Sequence, residues 1–353
     1  MITGNICEKL INFKTKNIQM TKLFIIGCIL IVHTASVGQS TNLLTFEGSK
    51  GPGYGKHIVF ICGDEEYRSE EGLPMMAEIL SRKYGFNCTV LFSIDPLTGT
   101  IDPNNQTNIP GLENLEKADL MFMLIRFREL PDEQMKYIDE YVRSGKPIVA
   151  LRTSTHGFNY KRNLKSPYAK YDFKSKEAGW EDGFGRRILG ETWISHHGQH
   201  GTEGTRGLIN GIAEKEKNAI LNGVKDIWCP TDVYEVRELP EGTQVLIYGQ
   251  STNGMDSKAP VNLDKSIMPV AWVRTIENEN RIKQRVFTTT MGASVDFQSE
   301  DLRRLLVNAS LWAVGLEKMI PQHGDVETLR PYQPSMFGIN KFKKNIHPID
   351  LKN

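Results

Sequence analysis

His57-Ile-Val-Phe-Ile-Cys62, running directly into Gly63-Asp-Glu-Glu-Tyr-Arg-Ser69, is the stretch that decides the fold. A half-exposed strand alternates apolar and polar residues. The unbroken run Ile58–Cys62 instead fits a strand covered on both faces, as in a parallel sheet between helices. Leu73, Met76, Ala77, Ile79 and Leu80 then recur at helical spacing, and Gly85 ends the helix. Cys88–Phe92, Asp119–Ile125 and Pro147–Leu151 repeat the buried-strand pattern. Between the last two, a helix is predicted over Pro131–Ser144. Pro131 suits the first position, Asp132 and Glu133 favour the positive end of its dipole, and Gly145 closes it. This order predicts an α/β protein with a doubly wound, mostly parallel open sheet and helices on both faces. Gln244–Tyr248, Pro269–Val273 and Arg285–Thr290 extend the sheet, and Glu300–Val314 reads as a closing helix.

The bulk properties exclude several roles. The 353 residues carry 43 Lys and Arg against 42 Asp and Glu, a net charge of +1, so no field exists for gripping a nucleic-acid backbone. At the start, Met20-Thr-Lys precedes the apolar run Leu23–Val32 and then small residues up to Gly38. Residues 1–38 therefore read as a signal peptide, with 1–19 either an extended basic region or an overlong start before Met20. The expectation is an exported protein, periplasmic or secreted. Ile25-Ile-Gly-Cys28 also has the shape of a lipoprotein box, so a lipid anchor through Cys28 is the alternative. No transmembrane segment remains once the leader is removed. Beyond the leader stand Cys62, Cys88 and Cys229, an odd number that leaves at least one free thiol or a pairing between chains. Residues 39–55 read as a flexible lead-in and 56–320 as one domain. Within it, 156–207 form a long irregular insertion, and 321–353 form a tail that wraps the surface.

In an open α/β sheet, ligands gather beyond the carboxyl ends of the strands. The first strand delivers Asp64, Glu65, Tyr67 and Arg68 there, the third Arg126 and Arg128, and the fourth Arg152, Ser154 and His156. The guanidinium forks suit hydroxyls or a carboxylate. Asp64, Glu65 and Asp232 could orient substrate or share proton transfer. Trp193-Ile-Ser-His-His-Gly-Gln-His-Gly201 places His196, His197 and His200 within five residues. Imidazoles of this kind serve as general acids or bases near neutral pH, or as ligands for a divalent metal such as zinc, with Glu191 as a further carboxylate. Metal binding, substrate contact and plain structure all stay open for this loop. Ser154 or Thr153 as a nucleophile on a strand-to-helix turn is a further reading, and Cys62 reads as core.

Several extended motifs, in order, resemble the ThuA-like family, the trehalose-utilisation group. They are His57–Ser69, Asn104–Gly111, Arg126-Phe-Arg-Glu-Leu-Pro131, Leu151-Arg-Thr-Ser-Thr-His156 and Gly190–His197. Pro230-Thr-Asp-Val-Tyr234, Pro269–Trp272, Arg285–Gly292 and Arg303–Gly315 complete the set. The resemblance implies a flavodoxin-like, class I glutamine-amidotransferase-like fold and an association with disaccharides or oxidised keto-sugars. Thr153-Ser-Thr155 stands where an amidotransferase would carry its elbow cysteine, which argues against glutamine hydrolysis. Where many relatives show Leu-Gly-His, this chain has Gly292-Ala-Ser294. The expectation is a sugar hydrolase, lyase or isomerase whose partner is a small sugar. A non-catalytic sugar-binding scaffold and a zinc-dependent hydrolase are the alternatives, and a homo-oligomer stays open.

Overall fold

The structure, a computed structural model, describes residues 42–208, 218–277 and 281–352. The signal peptide read at 1–38, with Met20 and Cys28, lies outside them. Among the described residues, ten strands form one sheet in the order β1-β3-β2-β4-β5-β10-β9-β8-β6-β7. The decisive run is β2 (His57–Gly63), flanked in parallel by β3 (Asn87–Phe92) and β4 (Leu120–Ile125). Next to β4 come β5 (Ile148–Leu151) and β10 (Lys283–Thr289), also parallel. This is the expected parallel core. Beyond it the sheet turns antiparallel through β9 (Met268–Glu277), β8 (Gln244–Thr252), β6 (Gly204–Leu208) and β7 (Ile227–Cys229).

Alternate residues of each core strand face opposite ways. Ile58, Phe60 and Cys62 of β2, with Phe122 and Leu124 of β4, pack against α1 (Ser69–Tyr84) and α3 (Glu300–Ala313). Val59, Ile61, Met121, Met123 and Ile125 pack on the other face against α2 (Asp132–Arg143). The irregular stretch 156–207 covers that second face too: Phe158, Tyr171, Trp180 and Phe184 are buried there as core. Among the described residues no helix is long and apolar enough to cross a membrane. Cys62, Cys88 and Cys229 are all free and buried.

The lead-in expected to be flexible at 39–55 needs correcting for its described part. Leu43–Phe46 form β1, paired antiparallel with β3, and Leu44 and Phe46 are buried. A four-residue strand among glycines and polar residues carries too little period-2 signal to stand out. The tail crosses α1: Tyr332 donates its hydroxyl to the Ser294 carbonyl, and the Gly338 amide donates to the Glu66 carbonyl. It thus reaches the loop that leaves β2.

Phe122 lies in the central parallel strand with no exposure and packs on Phe60 at 4.8 Å. Phe122→Ala is expected to lower stability by about 3–5 kcal/mol, read as a lower urea midpoint at unchanged slope. A midpoint equal to wild type would show that the site collapses without cost.

Candidate functional site

The sheet order places the loops after β2, β4, β5 and β10 at one edge, where the topology switches direction around β2. Three residues there hold a positive φ without being glycine: Arg68 (58°), Phe127 (55°) and Arg152 (39°). Such backbone strain is uncommon and gathers where a fold aims particular groups.

Arg152 sits directly after β5 at the strained strand-to-turn position where a nucleophile elbow carries its nucleophile. Its guanidinium is fully buried between the rings of Tyr67 and Tyr234, at 4.2 and 4.3 Å. It donates to the Asp232 carboxylate at 2.9 Å, to the Thr290 carbonyl at 2.9 Å and to the Tyr67 hydroxyl at 3.1 Å. Burial disfavours its charge, but the Tyr234, Tyr67, Asp232 and Asp296 groups around it hold its pKa well above the ordinary value. The hydroxyls that follow are all engaged. Thr153 donates to Asp64, Ser154 donates to the Met123 carbonyl at 3.1 Å, and Thr155 donates to the Arg152 carbonyl at 3.0 Å. Ser154 has no exposure. The expectations of Ser154 or Thr153 as nucleophile, and of Ser154 as a substrate contact, are therefore corrected: these side chains fasten the turn.

Asp232 is the hub. Its carboxylate is fully buried and accepts from His196 Nδ1 at 2.6 Å and His200 Nδ1 at 3.2 Å as well as from Arg152. Burial works to raise its pKa, but the hydrogen bonds from His196 and His200 and the Arg152 charge hold it well below the usual carboxylate range. The Asp232 loop is itself braced by Asp296, which accepts from the Thr231 hydroxyl at 2.7 Å and from the Gly292 and Ala293 amides. Both imidazoles are about one-third exposed, 35% and 36%. His200 Nε2 faces Glu66 at 3.2 Å. Its hydrogen bond to Asp232 raises its pKa, more than burial lowers it. Trp193 and Tyr234 flank His196 at 5.6 Å each, and Phe337 from the tail lies 5.4 Å from the His200 ring.

The other expected residues divide sharply. His156 is buried among Phe127, Phe173, Trp193 and Tyr234. Burial, then Arg126, Arg152 and His196, push its pKa well down, so it is a neutral packing group. His197 turns away to the Ser266 carbonyl at 2.8 Å. Glu191 is buried and committed to Arg237 at 2.7 Å and Arg186 at 3.4 Å. The metal set of His196, His197, His200 and Glu191 is thus redrawn: His196 and His200 remain and Asp232 replaces the other two, with ligand atoms within 4.8 Å of one another.

Arg128, expected to grip substrate, is fully buried and bound to Glu65, Ser93 and the Pro103 and Asn105 carbonyls. Arg68 is likewise buried, donating to the Glu65 and Gly338 carbonyls. Asp64 accepts the Glu66 and Tyr67 amides at 2.7 Å, bracing its own loop. Glu65 bridges Arg126 at 2.6 Å and Arg128 at 2.7 Å. Of the arginines at these strand ends, Arg126 keeps partial exposure, its head over Phe127 and near Glu66 at 3.4 Å. Glu66, Tyr234, Trp193 and Phe337 complete the site. Glu66 and Tyr234 lay within the quoted motifs, but nothing in the spacing set them above their neighbours.

The family model for ThuA, described as trehalose utilisation, matches residues 99–313. The chain belongs to the ThuA family. Among solved structures, a ThuA-like protein from Parabacteroides merdae matches at 13% identity and TM-score 0.45, over 74% of this chain and 90% of that one. One from Bacteroides uniformis matches at 14% identity and TM-score 0.41, over 75% and 93%. The glutaminase domain of a Trypanosoma brucei CTPS matches at 11% identity and TM-score 0.34, over 76% and 98%. No curated protein matches the chain.

Asp232→Asn removes the charge that both imidazoles share. His200 is then expected to titrate at lower pH, towards the ordinary value of about 6.5. In wild type its raised folded-state pKa means that the protonated His200–Asp232 contact stabilises fully below about pH 6.5 and fades as pH rises through the folded value. Titration of histidine ring protons by NMR reads both effects. His200 titrating identically in the two proteins would contradict the assignment.

Proposed function

We propose that this ThuA-family protein is an exported sugar-processing enzyme that works on a disaccharide or an oxidised keto-sugar by acid–base chemistry, with His196 as the proton-transfer group. The observation that carries this reading is one buried carboxylate, Asp232, held by Arg152 and joined to the Nδ1 atoms of two partly exposed imidazoles. With Nδ1–H directed at Asp232, His196 Nε2 is the acceptor left to face a substrate, and the carboxylate stabilises the imidazolium that forms. His200, held between Glu66 and Asp232, is poised as its charged partner. Trp193, partly exposed beside His196, offers the apolar face that a sugar ring takes. Family membership supports a sugar as the substrate class. The basic and apolar leader at 1–38 supports export. Glutamine hydrolysis is disfavoured, since Arg152 fills the elbow position and Cys62, Cys88 and Cys229 lie buried.

A second reading has its own observation. His196, His200 and Asp232 offer two nitrogens and an oxygen within 4.8 Å, the donor mixture that zinc accepts in open sites. Glu66 on His200 Nε2 then matches the outer carboxylate that orients a metal-bound imidazole. A bound divalent ion would polarise a sugar oxygen or a water there.

Turnover of trehalose and of its keto derivative, followed by release of monosaccharide, is expected to fall by about 10²–10⁴ in His196→Ala. Unchanged turnover in that variant would sink the assignment. Elemental analysis of wild type and Asp232→Asn separates the readings. One zinc per chain, lost in the variant, selects the metal site, and no metal in an active wild type selects proton transfer alone.

A further inference from the structure

Away from the histidines, a cavity of about 280 Å³ opens beside the last turn of α2, between the 156–207 stretch and β9. Besides Arg143, which pairs with Asp139, three cationic side chains line it from segments far apart in sequence: Lys170, Arg187 and Arg274. None of these three has a carboxylate partner among the described residues. Lys170 rests its ammonium over the Trp180 ring at 4.6 Å, and Arg187 lies 6.0 Å from the same ring. Arg274 donates to the Ile188 carbonyl at 3.2 Å and the Arg187 carbonyl at 3.5 Å. Contact with an indole face or a carbonyl anchors a cation without neutralising it, and leaves most of its N–H donors unused.

The nearby acids do not supply the missing charge. Asp139 accepts the Tyr171 hydroxyl at 3.0 Å and pairs with Arg143. Asp182, close by, is bound to Arg237. Glu241 and Glu277 also line the cavity, but both are exposed and neither forms an ion pair with Lys170, Arg187 or Arg274 among the described residues. Burial first, and then Arg186 and Arg187, hold the Arg274 pKa down to about 10, as expected of a cation whose neighbours repel it.

We infer that this cavity is a second binding site, for a small anion that carries a carboxylate or phosphate, of the size of an acidic sugar or sugar phosphate. Guanidinium and ammonium groups gathered around one volume give charge-assisted hydrogen bonds to such oxygens. The Trp180 wall supplies an apolar surface beside them. The site is independent of the acid–base reading of the histidine loop, since it shares no residue with it.

Isothermal titration of the full chain at low ionic strength tests the inference, with inorganic phosphate, D-glucuronate and neutral methyl glucoside as probes. At least one anion is expected to bind saturably, with Kd between about 10 µM and 5 mM. The probe that binds tells phosphate from carboxylate chemistry. Lys170→Met/Arg274→Met is expected to weaken that binding by about tenfold or more, while Asp232→Asn leaves it unchanged. Where the double variant unfolds at a lower urea midpoint, Arg187→Met, at an exposed position, carries the same test. Absence of binding by both anions, equal binding of methyl glucoside, or wild-type affinity in the arginine and lysine variants would overturn the site.

Discussion

A guanidinium and a carboxylate, both wholly removed from water, form the contact on which the rest of this site depends. Arg152 and Asp232 meet at 2.9 Å, and the same guanidinium reaches Tyr67 after β2 and the Thr290 carbonyl after β10. One side chain therefore ties together loops that are distant in sequence. A buried pair of this kind brings little net stability, because both ions were better solvated in water. Removing one partner is a different matter, costing about 3–5 kcal/mol because the other charge is stranded. The pair is thus best understood as a device for position. It fixes where Asp232 lies and keeps it ionised at the foot of two imidazoles.

That arrangement separates braces from working groups. Asp64, Glu65 and Arg128 are buried and engaged by hydrogen bonds to the loops they stiffen, and buried Arg68 ties the Glu65 carbonyl to the Gly338 carbonyl of the tail. The groups with water on one side are His196, His200, Arg126 and Trp193. Positive-φ strain at Arg68, Phe127 and Arg152 falls on the three loops that surround them. Strain of this order persists only where surrounding contacts over-determine the backbone. At Arg152 that contact is the pair with Asp232, and beside Phe127 it is the pairing of Arg126 and Arg128 with Glu65.

The parallel core was legible because β2 and β4 are uninterrupted apolar runs, and only burial on both faces explains such runs. The antiparallel half was harder. β6 is Gly-Thr-Arg-Gly-Leu and β7 is Ile-Trp-Cys, too short and too mixed to show a period. Gathering of polar residues at the strand ends also followed from topology alone. What the sequence could not tell was which charges face one another. Arg128 reads like a substrate clamp until Glu65 is found 2.7 Å away, and Glu191 reads like a ligand until Arg237 is found on it. Ion pairs across loops leave no local spacing to detect. The same holds for Lys170, Arg187 and Arg274, whose shared cavity exists only in three dimensions.

The elbow position carries a cation in place of a nucleophile. In an α/β hydrolase the strained residue after the strand lifts a nucleophile into the site. Here that residue is Arg152, and the hydroxyls after it are spent on Asp64, Met123 and Arg152 itself. A cation planted there cannot attack a carbonyl, but it can keep a neighbouring carboxylate charged in a place where burial alone would protonate it. Asp232 then passes that negative charge outwards to His196 and His200. The partly exposed imidazoles therefore stand on a glycine-flanked loop beside the elbow rather than at its tip. Proton transfer or metal-assisted chemistry is compatible with that placement, and covalent catalysis by the engaged hydroxyls of the elbow is not.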